Sequence, residues 1–453
     1  MRTPPVRALS VVGTGYLGAT HAACMADLGF EVVGVDRDPA KVAALAAGEV
    51  PFFEPDLEPM LRKHVGHGRL RFTTDPAAAA DADVHFLCVG TPQRAGGRGA
   101  DLGPLRAAVA ALAPHLRRPC LVVGKSTVPV GTAAEVAAML RELAPAGAGV
   151  RLAWNPEFLR EGCAVADTLR PDRLVFGVDD PDGAGAADLA RLRAVHADAL
   201  AAGVPEVVAD RPTAELVKAA ANAFLATKIS FINAVSELCD ATGADVAVLA
   251  RALAHDMRIG GAFLRPGLGF GGGCLPKDIR ALAERAGELQ VAGLEFLDDV
   301  DAVNLRCRDR VLELTRAEAG GELAGRTVAV LGAAFKPGSD DVRDSPSLHV
   351  AAALHRAGAR VRVHDPKAGG PAAARHPELD HRDSVAAACA GADVVVLGTE
   401  WPQFVQLDPA PLGTLVARRR MVDARLALPA ARWAAAGWRV VAPGRPALEP
   451  TAA

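Results

Sequence analysis

Ala8-Leu9-Ser10-Val11-Val12-Gly13-Thr14-Gly15-Tyr16-Leu17-Gly18 opens the reading of this chain, and Glu31-Val32-Val33-Gly34-Val35-Asp36 completes it. Ala8 to Val12 reads as a buried strand, and the Ala-rich run from Tyr16 to about Leu28, stopped by Gly29, reads as a helix. Glu31 to Val35 is a second strand ending at Asp36, so the unit is βαβ. A Gly-x-Gly-x-x-Gly turn that follows a strand and opens a helix is the context of a dinucleotide site. Gly13 permits the tight turn, Gly15 lets backbone approach a pyrophosphate, and Gly18 permits close helix–strand packing. The helix N-terminus offers N–H groups and partial positive charge to phosphate. Asp36 is placed to accept from ribose hydroxyls and to repel a 2′-phosphate, which favours NAD over NADP; Arg37 beside it pulls the other way. Taken alone, the glycines also fit a turn with no ligand.

Outward from this unit, strands are expected at Val84–Val89, Cys120–Lys125 and Val150–Trp154, with Ala/Leu helices between them. That alternation implies a doubly wound parallel sheet. Near Pro212 the pattern changes to long helical runs, from Thr213 to about Gly243, through Val246–Ala254, and from Ile279 to about Ala319. A glycine-rich loop, Gly260 to Gly273, interrupts them. Strand–helix alternation resumes at Arg326, with strands at Thr327–Leu331, Val361–His364, Val394–Leu397 and Met421–Val422. The expected fold is therefore α/β: two Rossmann-like doubly wound parallel-sheet domains joined by a central helical domain. The boundaries read as 1–210, 211–320 and 321–445, with 446–453 a disordered tail.

The bulk composition agrees. At about 100–200 residues per domain, 453 residues suggest two or three domains. The net charge of −3 gives no field for nucleic acid or an anionic membrane, and one Tyr and four Trp supply few stacking platforms. No apolar run reaches the roughly 20 residues of a membrane span, and the start has no leader-like apolar core. A cytoplasmic enzyme is expected. The eight cysteines are scattered without a CxxC pair, so neither a zinc site nor a disulfide framework is expected, and no metal.

Four places carry ionisable or hydroxyl groups in unusual settings. Thr91 and Thr127 sit where strands end, where ligands of parallel sheets bind; helix capping is their plain alternative. Glu157 and Glu161 flank Arg160 after the strand ending at Trp154; a solvated helix start reads equally well. Lys218 and Asn222 are four apart on a helix rich in alanine, which would partly bury the lysine, although such a lysine is usually solvated. Finally, Cys274 follows five glycines in seven residues and starts a helix, with Lys277 near it and Asp278 one turn on. A helix start and a neighbouring cation both favour a thiolate. Beside a nicotinamide, such a thiolate has a use. An aldehyde cannot be oxidised until its carbon becomes tetrahedral, which thiol addition achieves, and the resulting thioester hydrolyses to an acid.

These segments stand in a fixed order: GTGYLG from Gly13, VGTP from Val89, KSTVPVGT from Lys125, NPEFLREG from Asn155, ELVKAAANAFLATKISFIN from Glu215, GLGFGGGCLPKD from Gly267 and FKPGSDDVRDSP from Phe335. Together they resemble the UDP-glucose/GDP-mannose dehydrogenase family, from Ser10 to about Leu426. The resemblance implies NAD-dependent four-electron oxidation of a nucleotide sugar, with Cys274 as nucleophile through a thiohemiacetal and a thioester. Lys218 and Asn222 would hold the sugar oxygen, and Asp278 with Thr127 and Glu161 would position water. NAD would be met by Leu17, Asp36, Lys41, Thr91, Thr127, Glu161, Lys277 and Arg343. The nucleotide sugar would be met by Glu157, Phe158, Leu159, Arg160 and Glu161, by Phe263, Leu264, Arg265, Pro266, Gly267 and Gly271, and by Lys336. The family implies a homodimer through the central helices, with Arg258 reaching the partner's substrate. Arg258-Ile259-Gly260 ahead of Phe263 resembles the UDP-glucose branch, so UDP-glucose oxidised to UDP-glucuronate is the expected reaction; GDP-mannose or an N-acetylated sugar nucleotide is the alternative. Two departures touch the lining: Gly273 replaces a common serine, and Ala219 a common aromatic. The second α/β domain lacks Gly-x-Gly-x-x-Gly and is expected to hold the nucleotide half of the substrate, with Asp423-Ala424-Arg425 adding a positive contact.

Two other readings use the same features. A single-step hydroxyacid dehydrogenase also joins a dinucleotide fold to helices, but needs neither the cysteine nor a third domain. A catalytically dead NAD-binding scaffold would be expected to lose Cys274 or Lys218, and both are present.

Overall fold

The computed structural model describes residues 6–451. The expected start before Val6 therefore lies outside the described residues, as do the last two residues of the expected tail. The described chain up to Ala221, together with Glu284–Gln290, forms one compact unit; Asn222–Ala283 and the residues from Val291 onward form another.

The first unit is built on eight strands: β1 Ala8–Val12, β2 Glu31–Val35, β3 Leu70–Thr73, β4 Val84–Leu87, β5 Cys120–Gly124, β6 Val150–Trp154, β7 Leu174–Gly177 and β8 Glu206–Ala209. They lie in the order β3-β2-β1-β4-β5-β6-β7-β8, parallel except for the β6–β7 pair. Side chains alternate across this sheet. Leu9, Val11, Phe86 and Val123 pack under the helix Tyr16–Asp27, while Val12, Val35, Leu87 and Val122 pack on the other face. Each such buried aliphatic contributes about 1.5–3 kcal/mol. Strand order reverses at β1 and β4, which puts a ligand crevice at their carboxyl ends.

The second unit carries β9 Thr327–Leu331, β10 Arg360–His364, β11 Asp380–His381, β12 Val394–Leu397, β13 Arg420–Asp423, β14 Arg439–Ala442 and β15 Arg445–Leu448. Their order is β11-β10-β9-β12-β13-β14-β15, again switching at the first strand. One core covers this sheet, with Trp433 and Trp438 edge-on at 5.0 Å.

Two expectations are corrected. The tail is not disordered throughout: Arg445–Leu448 pairs antiparallel with β14 after a turn at Gly444, whose φ is +70°. Pro446 is tolerated because the strand lies at an edge, where a missing N–H breaks no ladder. The helical run expected from Ile279 to Ala319 is two helices, Leu275–Glu288 and Phe296–Glu318. Gln290 between them takes a left-handed φ of +58°, which ends the first. Arg211–Thr242 is a single long helix, as its sequence pattern predicts.

Candidate active site

In the first unit, Gly13 takes a φ of +88°, and a Cβ there would stand 2.7 Å from Val89 Cγ1 and 2.9 Å from its backbone. A Cβ on Gly18 would stand 1.8 Å from the Gly13 carbonyl oxygen. A Cβ on Gly15, by contrast, meets nothing within 4 Å. The turn is closed by packing on two sides and open at Gly15. The helix Tyr16–Asp27 has no side-chain N-cap, so its first N–H groups remain for an anion. Leu17 packs its side chain onto the core, leaving backbone to meet a ligand.

Asp36, at the end of β2, accepts from the Thr14 N–H at 2.8 Å and from Lys41 Nζ at 3.0 Å, and its other oxygen accepts from the Asp38 N–H. Burial works to raise this carboxyl, but Lys41 and the two N–H groups outweigh it and hold it below the usual carboxylate value. A fixed carboxylate, an open glycine and an uncapped helix start fit a dinucleotide with an unphosphorylated adenosine ribose.

Beyond the switch point, the Thr91 hydroxyl donates to the Thr127 carbonyl at 2.7 Å, tying together the chain after β4 and after β5. Thr91 is buried and Thr127 half-buried. Glu157 is fixed by the Leu159 N–H at 2.8 Å, and Lys218 Nζ lies 3.4 Å from its other oxygen and 5.6 Å from the Phe158 ring centroid. Lys218 is buried rather than solvated, so the functional expectation for it gains and the surface alternative loses. Arg160 forms a two-point pair with Asp167, and Glu161 stands half-buried beside it.

Sequence reasoning passed over two residues here. Lys125 is buried and donates to Asn155 Oδ1 at 3.0 Å, and burial pulls its ammonium below the usual lysine value. A lysine ending an apolar strand was the available signal. Glu54 is buried, accepts from the Tyr16 hydroxyl, and binds the N–H groups of Gly162 and Ala164 at 2.6 and 2.7 Å. It anchors the end of the Glu157–Gly162 segment; no local pattern marks it.

In the second unit, Cys274 is exposed and immediately precedes the helix Leu275–Glu288, its carbonyl accepting the Asp278 N–H at 3.0 Å. The thiol therefore stands at the positive end of a helix dipole. Asp278 is buried; it accepts from Asn222 Nδ2 at 2.6 Å and pairs with Lys277. Cys163 is the other exposed cysteine and the remaining six are buried. Burial pushes the Cys24, Cys88 and Cys389 thiols up to about 12 and Cys120 and Cys307 to about 11, which makes them inert.

The glycines before Cys274 serve packing more than ligand approach. A Cβ would stand 2.6 Å from the Ala424 carbonyl oxygen at Gly267, 2.4 Å from Asn304 Oδ1 at Gly269, 2.2 Å from the Asp344 carbonyl oxygen at Gly271, and 2.8 Å from the Phe335 ring at Gly272. At Gly273 it would stand 2.3 Å from the Arg343 guanidinium carbon, which occupies the place a serine side chain would take. Arg343 itself is paired with Asp341. Gly267 gives its N–H to Asn233 Oδ1 at 2.8 Å. Phe263, at a left-handed φ of +63°, and Arg265 are exposed, whereas Pro266 is buried and Leu264 lies in a core with Ile232 and Val246. Lys336 Nζ lies 5.6 Å from the Phe335 ring centroid. Arg258 is exposed and pairs with Asp256.

Arg425, expected to add a positive contact, is half-buried. Three of its five N–H groups donate to carbonyls, Gly398 at 2.8 Å, Gly269 at 3.0 Å and Phe335 at 3.2 Å, and Glu400 lies 3.5 Å away, so it binds the loops together. Asp423 is buried, and burial raises its carboxyl against three backbone N–H bonds. Among the described residues no group of three His, Cys, Asp or Glu is placed to hold a metal ion, and no helix is long and apolar enough to cross a membrane.

Three consecutive family profiles match the chain: the NAD binding domain of the UDP-glucose/GDP-mannose dehydrogenase family at residues 7–199, its central domain at 212–306, and its UDP binding domain at 329–430. A UDP-glucose 6-dehydrogenase of Rhizobium meliloti is 42% identical over 97% of this chain and 99% of its own. One from Pseudomonas aeruginosa is 44% identical over 97% of each. The structure of a UDP-glucose dehydrogenase from Pyrobaculum islandicum superposes with a TM-score of 0.86 at 38% identity, covering 95% of this chain and 97% of that one. The dinucleotide for which the first sheet is shaped is therefore NAD, and the chain belongs to the UDP-glucose/GDP-mannose dehydrogenase family.

Proposed function

We propose that the protein oxidises UDP-glucose to UDP-glucuronate with two NAD, through a covalent intermediate on Cys274. One observation carries this reading: Cys274 is an exposed thiol at a helix start, with the buried Asp278 one turn along the same helix. NAD, when bound, accepts the hydride of each oxidation. The chain's own residues do the rest. Lys218 and Asn222, one turn apart on one helix, hold the C6 oxygen, with Glu157 beside the lysine to take up charge. Cys274 holds C6 as a thiohemiacetal between the oxidations and as a thioester after the second. Asp278, with Thr127 and Glu161, positions the water that releases the acid. Cofactor contacts fall to the Gly13–Gly18 turn, Asp36, Lys41, Thr91, Lys277 and Arg343. The nucleotide sugar is met by the Glu157–Glu161 segment, Phe263–Gly267, Gly271 and Lys336. Relatives that act on UDP-glucose support this choice of sugar nucleotide.

The protein acts as a homodimer through its central helices, residues 211–320. Phe224, Phe231 and Leu238 stand at seven-residue intervals on the helix Arg211–Thr242 and are 67%, 55% and 64% exposed, an apolar stripe that a second copy would cover. Arg258 would then reach the partner's substrate.

The test is NADH release from UDP-glucose, GDP-mannose and UDP-N-acetylmannosamine. UDP-glucose should be preferred and give two NADH per molecule. Cys274→Ala should abolish acid formation while NAD still binds; acid made at the wild-type rate by that variant would overturn the covalent mechanism.

A further inference from the structure

Asn304 lies on the helix Phe296–Glu318 and is fully buried. Its side-chain carbonyl accepts the Phe270 N–H at 2.7 Å, and its amide nitrogen donates to the Phe270 carbonyl at 3.0 Å. A side-chain amide offers an acceptor and a donor side by side, so it grips one residue's backbone as a neighbouring strand would. Gly269 makes room for it. One turn along the same helix, Arg308 is buried, reaches the Phe270 carbonyl at 3.5 Å and pairs with Asp344 at 2.9 Å. The residue before Asp344, Arg343, accepts the Gly272 N–H on its carbonyl at 2.9 Å. The backbone from Gly269 to Gly272 is thus held at Phe270 and again at Gly272, immediately ahead of Cys274.

We propose that Asn304 is a positioning residue for the second oxidation: by fixing Phe270 it sets the path that delivers the Cys274 thiol to the C6 carbonyl. This rests on the covalent reading above. Oxidation of the alcohol needs the C6 hydroxyl to lose its proton and does not use the thiol. Oxidation of the aldehyde cannot begin until Sγ bonds to C6. At saturating substrate, where a loosened Gly271 contact no longer limits binding, a slack loop therefore falls on the second step and spares the first.

The experiment uses the full chain as wild type, Asn304→Ala and Asn304→Asp. The aspartate keeps the acceptor for the Phe270 N–H and turns the donor into an acceptor facing the Phe270 carbonyl. NADH formed per UDP-glucose is measured, together with single-turnover rates from UDP-glucose and from its C6 aldehyde. Iodoacetamide alkylation, in which Sγ displaces iodide, is followed at each cysteine by mass spectrometry. Cys163 is the exposed internal reference, and the six buried thiols report folding, so a variant in which they react is set aside in favour of the other. Expected are NADH yields falling from two towards one, aldehyde oxidation slowed on the order of 10²-fold with alcohol oxidation changed less than about threefold, and a Cys274 rate altered relative to Cys163. Equal slowing of both oxidations, or an unchanged ratio of Cys274 to Cys163, overturns the proposal. Wild-type enzyme yielding one NADH would sink the covalent reading instead, and the alkylation ratio would still decide whether Asn304 places the thiol.

Discussion

The turn after β1 and the turn after β9 hold the same place in two sheets of matching strand order, yet only one is left open. After β1, the chain passes Gly13 and Gly15 and enters the helix Tyr16–Asp27 at once, without a side-chain cap. After β9, Gly332 takes a comparable φ of +111°, but the chain then wanders to Ser345, which caps the helix Pro346–Arg356 through the Leu348 N–H at 3.3 Å. The carboxylates ending the second strands differ in the same sense. Asp36 takes the Thr14 N–H and hydroxyl, the Asp38 N–H and Lys41. Asp365, just past β10, takes the N–H groups of Ala333, Ala334, Lys367 and Ala368, and the Trp401 indole at 3.1 Å. The lesson is that readiness for a dinucleotide depends less on the fold than on which donors and acceptors the protein has already used.

That contrast can be broken most sharply at the two aspartates. Asp365→Ala strips five donors of their acceptor and should cost about 3 kcal/mol or more in urea unfolding of the second unit. Asp36→Ala should cost clearly less stability and weaken NAD binding while narrowing its lead over NADP; equal stability losses would mean the two carboxylates do the same work. A smaller effect is expected at the open glycine. Gly15→Ala adds a methyl group that touches no protein atom, so the melting temperature without cofactor should hold. NAD affinity should fall about tenfold, roughly 1.4 kcal/mol, as the methyl meets the pyrophosphate. An unchanged Kd would remove the pyrophosphate from that turn.

The smallest effect per residue separates the units by pH. Burial, aided by Arg118, holds His85 at about 4. Burial and Lys125 hold His196 at about 3, and burial, Lys125 and His196 hold His21 well below its ordinary value. These folded-state values lie below the unfolded 6.5, so the unfolded chain binds more protons in acid. Their contribution is complete above pH ~6.5 and is lost as pH falls towards 4, by about 1 kcal/mol per histidine near pH ~5.5. Hydrogen exchange at pH 5.5 against pH 7 should show the first sheet losing protection ahead of the second. Equal loss in both would contradict the assignment.

Much of the fold is legible because its signals are local. The β1–turn–β2 unit, the long helix through Lys218 and the strands β9, β10, β12 and β13 follow from runs and periods within a few residues. β3, β7, β8, β11, β14 and β15 were not legible. They are short, and β8 and β15 lie at sheet edges where burial writes no apolar pattern into the sequence. Cys274 stood out because its neighbours are unusual, but the reason given for them was incomplete. The glycines before it admit Asn304, Asp344, Phe335 and Arg343, all distant in sequence.

By itself the sequence determined the two sheets, the positions where the backbone must turn tightly, the helix start under Cys274 and the family. Those are consequences of periodicity and of which residues lack a Cβ. Only the tertiary structure decided that Lys218 is buried against Glu157, that Arg425 donates to three carbonyls, and that Asn304 grips the backbone ahead of Cys274. The physical reason is the same for each. Whether a polar group is available for chemistry depends on the partners that fold against it, and here most of them come from far along the chain.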